Sequence, residues 1–350
     1  MQNKNNLLSL FSKLLFYSIS LKFFHEQKKS TMNDCFFTLV EIPPAKQEIN
    51  YLHKLMMLGS CFSENIGKKL KEAFFQVDVN PFGVLYNPLS IAMSLERLIE
   101  NKGFSRSDIF EYQSLWHSFF HSSSFSDVSP EKTLSNIQTR FDESCSFLKK
   151  TDFLLLTFGT AWVFEDRKTQ SVVSNCHKLP SQHFNRRRLS IEEIVEHYTL
   201  LITQLQQLNP TLRIIFTVSP IRHWKDGPHE NNLSKSILLL SVEELQKKFK
   251  NVDYFPAYEI QMDELRDYRF YASDMLHPSE TAINYIWEKF SDTYFSEQTK
   301  LIKQRMEHLT RQINHRALHP DSPQYFHFQE QIENEKEALR SEFPFLKGLI

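Results

Sequence analysis

The chain has 350 residues, enough to bury a sizeable core in one large domain with an appendage or in two domains. Its 41 basic and 42 acidic residues leave a formal net charge of -1, which argues against a nucleic-acid footprint, since that normally needs a basic face, and no long block of like charge marks a polyanion-binding tail. Four scattered cysteines (Cys35, Cys61, Cys145, Cys176) without a Cys-x-x-Cys pair fit the reduced thiols of a cytoplasmic chain better than a disulfide framework.

Residues 7–24 are apolar but interrupted by Lys13 and Lys22, too short and broken for a stable membrane span. Lys4 before them leaves export by a signal peptide open, although Ser18-Ile19-Ser20 is the one small-residue cleavage candidate. A start at Met32 is the competing reading, so residues 1–31 are set apart as an N-terminal extension that is loosely ordered or not native. From there apolar runs alternate with helix-period segments, the pattern of a parallel sheet covered on both faces. Residues 52–58 read as a strand ending at Gly59-Ser60, and residues 63–73 as a helix with Ile66 and Leu70 inward. A second strand, 75–79, ends at Asn80-Pro81-Phe82-Gly83, and a helix follows Asn87-Pro88 over about 89–101.

Residues 103–130 are aromatic and Ser-rich without a clear period, and read as a long functional loop or lid. A helix near 130–149 leads to a buried strand, 153–158, stopped by Gly159; an irregular stretch follows, in which Arg186-Arg187-Arg188 reads as solvated. Ser190-x-x-Glu193 is a capping box opening a helix that Asn209-Pro210 stops. Strands at 213–218 and 252–255 flank a helix over 234–249 capped by Ser234, and Pro278-Ser279 starts a helix through Phe295. Beyond about 297 the chain is charged and helical, an extension that packs on the domain or on a partner. Glycine is scarce, with seven in the chain, so Gly59, Gly83 and Gly159 at strand ends are informative.

A serine hydroxyl needs a neighbouring base, and the base needs a third group to hold its tautomer. Ser60 lies at a strand-to-helix turn, where a doubly wound sheet opens into its ligand crevice and a helix N-terminus favours a developing negative charge. Taken alone it reads better as a helix N-cap. Asp274-Met275-Leu276-His277-Pro278 sets an Asp and a His three residues apart in a late loop, so that Asp274 accepts from one imidazole nitrogen while the other faces Ser60. An isolated Asp-x-x-His would read as a surface loop.

Together these residues resemble the first and last blocks of the SGNH (GDSL-like) hydrolases. More closely, Gly59-Ser60-Cys61-Phe62-Ser63-Glu64-Asn65-Ile66-Gly67 resembles the motif that names the GSCFA-domain family, with Ser63 where Ala is usual. Asn80-Pro81-Phe82-Gly83, Gly159-Thr160-Ala161-Trp162, Asn175-Cys176-His177-Lys178 and Val218-Ser219-Pro220-Ile221-Arg222-His223 add matches in order, over about residues 33–295. The resemblance implies an SGNH-like three-layer α/β/α sandwich over 32–296, carrying a central parallel sheet, with residues 297–350 as a helical C-terminal extension. It implies a Ser60, His277 and Asp274 triad and an oxyanion hole from the Ser60 and Gly83 backbone N–H groups. The usual third-block Asn is replaced by Gly159-Thr160, which leaves Thr160 or Asn175 as third donor.

Other residues keep two readings. Cys61 is a packed thiol before it is a nucleophile. His117 and His121 have the i, i+4 spacing of a metal pair but no acidic partner, and read as substrate-lining or structural. His177 and His223 line the pocket or are hydrogen-bonded structural histidines, and Arg222 binds a substrate anion or forms an internal ion pair. The expected protein is an esterase or deacylase acting on a small-molecule ester, an acylated carbohydrate among the candidates. No cofactor, metal or nucleic acid enters this reading, and the oligomeric state stays open. An acyltransferase with the same triad and a non-catalytic binding module on the same fold are the alternatives.

Overall fold

A computed structural model describes residues 38–350; the N-terminal extension 1–31 and Cys35 lie outside the described residues. Residues 41–350 form one unit. In chain order, strand β1 (Lys54–Gly59) leads to helix α1 (Cys61–Glu72), and β2 (Gln76–Val79) to α2 (Pro88–Ile99). A hairpin of β3 (Phe110–Tyr112) and β4 (Leu115–His117) precedes α3 (Pro130–Leu148) and β5 (Phe153–Phe158). Strands β6 (Trp162–Asp166), β7 (Val172–Val173) and β8 (Phe184–Arg188) come next, then α4 (Ile191–Leu208), β9 (Arg213–Val218), α5 (Pro228–Lys248) and β10 (Val252–Tyr254). Three helices close the chain: α6 (Glu280–Tyr294), α7 (Glu297–Ile313) and α8 (Pro323–Glu342).

The central sheet has the order β2-β1-β5-β9-β10, and every pairing in it is parallel. Strands β1, β5 and β9 are apolar along almost their whole length because both of their faces are covered. On one face Met56, Leu58, Leu154, Leu156 and Phe216 pack with Ile91, Leu95, Phe141, Tyr198, Ile202 and Leu238 from α2, α3, α4 and α5. On the other, Met57, Leu155 and Ile215 meet Phe62 and Ile66 of α1 and Phe290 of α6. Each such side chain contributes roughly 1.5–3 kcal/mol when fully buried. The result is the expected three-layer α/β/α sandwich. Its strand order reverses between β1 and β5, since the chain first steps outward to β2 and then crosses back. The ligand crevice of such a sheet opens at the carboxyl ends of those two strands.

Four readings of the sequence change. The 103–130 segment is not a structureless loop: it holds the β3–β4 hairpin, turned by Gln113 and Ser114 at φ 48° and 61°. The stretch after Gly159 is a three-stranded antiparallel sheet of order β7-β6-β8. Arg186, Arg187 and Arg188 are strand β8 rather than a solvated linker, and pair with Asp226, with Glu165 and Glu193, and with Glu230. Helix α5 starts at Pro228 after Gly227 at φ 80°, so Ser234 is interior and not its cap.

The C-terminal extension packs on the domain. Ile302, Met306 and Leu309 of α7 are buried, Lys303 pairs with Glu288 at 2.8 Å, and Thr310 donates to Glu72 O at the end of α1 opposite Ser60.

Candidate active site

Ser60 sits at the turn from β1 into α1 and is 1% exposed. It is the N-cap: its Oγ accepts from Phe62 N at 3.3 Å. Its own N–H makes a long bond of 3.4 Å to Thr157 O. The turn needs glycine before it, because a Cβ on Gly59 (φ +149°) would stand 2.4 Å from Thr157 O. Gly59 N donates to Asn80 Oδ1 at 2.9 Å, which ties the serine turn to the end of β2.

Asp274 and His277 lie in the loop before α6, each with its side chain about half exposed. His277 Nδ1 meets Asp274 Oδ2 at 2.5 Å, while Asp274 Oδ1 accepts from the N–H groups of Leu276 and His277, both at 2.9 Å. Met275 at φ 60° makes this tight return possible. Those backbone bonds, then the imidazole, hold the Asp274 carboxyl down at about 2. An ionised carboxylate on Nδ1 fixes the tautomer in which Nδ1 carries the proton, leaving Nε2 as a lone-pair acceptor. That is the form a general base needs. Among the described residues no hydrogen bond joins Ser60 Oγ to His277; the pair is joined to itself and not to the serine.

The wall of the crevice is held from α5. Lys235 is 1% exposed and donates to Gly159 O and Ser219 O, each at 2.7 Å, clamping the ends of β5 and β9 together. Burial, helped by the charge of Arg222, pushes its ammonium down to about 7. Ser234 Oγ accepts from Ala161 N at 2.7 Å, and Asn231 Oδ1 accepts from His223 N at 2.9 Å. His223 lies beside Gly159, where a Cβ would be 3.4 Å from its Nε2, and its ring is 5.8 Å from that of Tyr86. Burial and then the charge of Lys235 lower it to about 4, with His277 close enough to contribute to the same repulsion. Tyr86 reaches Cys61 Sγ at 3.7 Å, and its carbonyl accepts from Gly159 N and Thr160 N.

The remaining expected site residues are placed as follows. Gly83 needs its φ of +76°, and a Cβ there would overlap the Ser122 hydroxyl; its N–H donates to Asn80 O at 2.8 Å. Thr160 Oγ1 is paired with Ser234 Oγ at 3.1 Å and accepts from Trp162 N at 3.2 Å. Asn175 Oδ1 accepts from His177 N in the segment between β7 and β8. His117, His121 and His177 are 6%, 1% and 4% exposed and form a packed cluster behind the 80–83 turn, His121 stacking on Phe82 with centroids 5.0 Å apart. Among the described residues no group of His, Cys, Asp and Glu has the layout of a metal site. Arg222 contacts Asn232 at 3.1 Å and lies over Trp224. Cys61, Cys145 and Cys176 are free thiols. Two residues escaped the sequence reading: Lys235, hidden in a helix of mixed polarity, and Asn80, seen only as part of a motif.

Fold and site define a doubly wound α/β protein whose strand order reverses between β1 and β5, with Ser60 at the carboxyl end of β1 and a hydrogen-bonded Asp274–His277 pair in the loop before α6. The sequence profile of the GSCFA family matches residues 54–290, and the chain belongs to that family. No curated protein matches the sequence. Among solved structures it is similar to a family 3 carbohydrate esterase of Clostridium thermocellum, with 12% identity and a TM-score of 0.33 over 72% of this chain and 98% of that one. A family 3 carbohydrate esterase of Talaromyces cellulolyticus gives 12% identity and a TM-score of 0.34 over 72% and 99%. No helix among the described residues is long and apolar enough to cross a membrane.

Proposed function

We propose that the chain is a serine esterase or deacylase with Ser60 as nucleophile, His277 as base and Asp274 as the group that orients it. The observation that carries this is the 2.5 Å contact of His277 Nδ1 with Asp274 Oδ2, which frees Nε2 to take a proton in a chain whose Ser60 lies at the switch point of the sheet. Ser60 Oγ bonds to the ester carbonyl carbon, the carbonyl π pair moves to oxygen, and the hydroxyl proton passes to His277 Nε2. On collapse the alcohol leaves with that proton. Water then repeats the sequence on the acyl-enzyme, or another hydroxyl does so in an acyl transfer. Three movements are required: Ser60 Oγ must leave the Phe62 N–H, side chains over a serine 1% exposed must part, and His277 Nε2, which makes no hydrogen bond to Ser60, must come within reach of its hydroxyl. The substrate in this reading is a small ester, with an acylated sugar among the candidates.

The test is labelling by a fluorophosphonate, read by mass spectrometry, beside hydrolysis of short p-nitrophenyl esters. The wild type is expected to carry the adduct on Ser60, and Ser60→Ala to lose labelling and turnover while staying folded. The lost cap is worth only ~1 kcal/mol. Labelling that persists in Ser60→Ala puts the nucleophile elsewhere and overturns the reading.

A further inference from the structure

Of the oxyanion donors expected from the sequence, the Gly83 N–H is engaged with Asn80 O, Thr160 Oγ1 with Ser234 and Trp162 N, and the Ser60 N–H in a long bond to Thr157 O, while Asn175, partly exposed, has its Oδ1 on His177 N. Asn80 differs from all of them. It is 7% exposed, and its Nδ2 is buried with no hydrogen-bond partner among the described residues. The orientation of its amide is settled by its neighbour: Gly59 N can only donate, so the atom 2.9 Å from it is Oδ1 and the free end is NH2. Leaving such a group unpaired costs roughly 1–3 kcal/mol. The backbone also holds the residue there at a cost, since Asn80 has φ 46°, in the left-handed region that Asn and Asp tolerate better than other side chains.

Asn80 Oδ1 holds the residue immediately before the nucleophile, so the free NH2 lies an amide's width from the Gly59-Ser60 turn. A donor fixed beside a nucleophile, dry and without a partner, is preorganised for a negative charge that forms there only in the transition state. Resting on the serine-esterase reading above, we propose that Asn80 is a catalytic residue: its side-chain N–H, together with the loosely held Ser60 N–H, binds the oxyanion formed when Ser60 attacks a carbonyl. The side-chain donor is thus supplied from the end of β2, and not from the loops after β5 that carry Thr160 and Asn175.

Asn80→Asp is the informative variant. It keeps an oxygen for Gly59 N and a side chain suited to φ 46°, and removes both N–H donors. The readouts are the rate of Ser60 labelling by a fluorophosphonate, kcat and KM on p-nitrophenyl acetate, and Tm. In labelling, the Ser60 Oγ–P bond forms, fluoride leaves with its electron pair, the proton goes to the base, and the phosphoryl oxygen gains charge in the hole. Labelling rate and kcat are expected to fall about 10²–10³-fold with KM changed only a few-fold. The ratio of variant to wild-type labelling rate should rise as pH is lowered from about 8 to about 5, because a protonated acid donates again. Labelling by N80D at the wild-type rate overturns the donor role and leaves the serine reading intact. A Tm that falls with the rate, with that ratio flat in pH, makes Asn80 purely structural and also overturns it. A wild type that is not labelled at all overturns both.

Discussion

Four histidines of this chain occupy two contrasting environments, His277 in the 271–278 loop and His117, His121 and His177 in the cluster behind the 80–83 turn. In the cluster, His117 has Nδ1 at 2.7 Å from Ser126 Oγ and Nε2 at 3.2 Å from Tyr112 O. His177 Nε2 donates to Ser118 O at 2.7 Å, and its Nδ1 is 3.3 Å from Ser123 Oγ. His121 is bonded to Ser118 Oγ and wedged between Phe82 and Phe104. Burial pushes His177 to about 4 and His121 to about 3, so those two rings are neutral packing elements. His277 is the reverse: half exposed, one nitrogen held by a carboxylate and the other without a partner among the described residues. The residue type is the same; what differs is burial and whether a carboxylate holds one ring nitrogen.

The sharpest way to break that contrast is to remove the exposed imidazole. His277→Ala is expected to lower kcat on a short p-nitrophenyl ester by ~10⁴-fold or more, because the serine loses its proton acceptor. Stability should hardly change, since the side chain is half exposed. A variant that keeps more than about a tenth of wild-type activity would move the base to another residue. Asp274→Asn comes next. The amide preserves the size of the side chain but not the charge that selects the Nδ1–H tautomer, and a loss of roughly 10²–10⁴-fold in kcat is expected. Part of the Asp274 role is to accept the Leu276 and His277 N–H groups, so circular dichroism and Tm must accompany the assay.

The same contrast explains what could be seen in the sequence. The strands of the central sheet were legible because double-sided burial forces continuous apolar runs such as Phe153–Phe158. Ser190 and Glu193 form a full capping box as expected, and Ser279 caps α6. The elements missed are those whose pattern is set by partners distant in sequence. Strand β8 is polar because its arginines meet acids on three other segments, and α5 hides its start behind Gly227 because its first two turns hold polar clamps in place of an apolar stripe. Local spacing was enough to expect the pairing of Asp274 with His277, three residues apart on one turn. It could not reveal that Asn80 lends one end of its amide to Gly59 and leaves the other unpaired, since that depends on strands β1 and β2 lying side by side.

The smallest expected effect falls on the buried side of the comparison and concerns stability rather than turnover. His121 sits at about 3 in the folded chain, pushed there first by burial and then by Arg97 and His177, against about 6.5 when unfolded. Between those values the unfolded chain binds a proton that the folded chain refuses, so stability is lost as pH falls through that window. The slope is about 1.4 kcal/mol per pH unit for one group. His121→Phe removes that proton while keeping an aromatic ring against Phe82 and Phe104. Near pH 7 its unfolding free energy in urea should lie within about 1.5 kcal/mol of wild type. Near pH 4.5 the wild type should have lost about 2–3 kcal/mol more than the variant, with ester turnover at neutral pH unchanged in both. Equal acid losses would mean that His121 titrates normally and is reached by water. In that case the cluster behind the 80–83 turn would no longer be a dry packing element, and burial would no longer separate its histidines from His277.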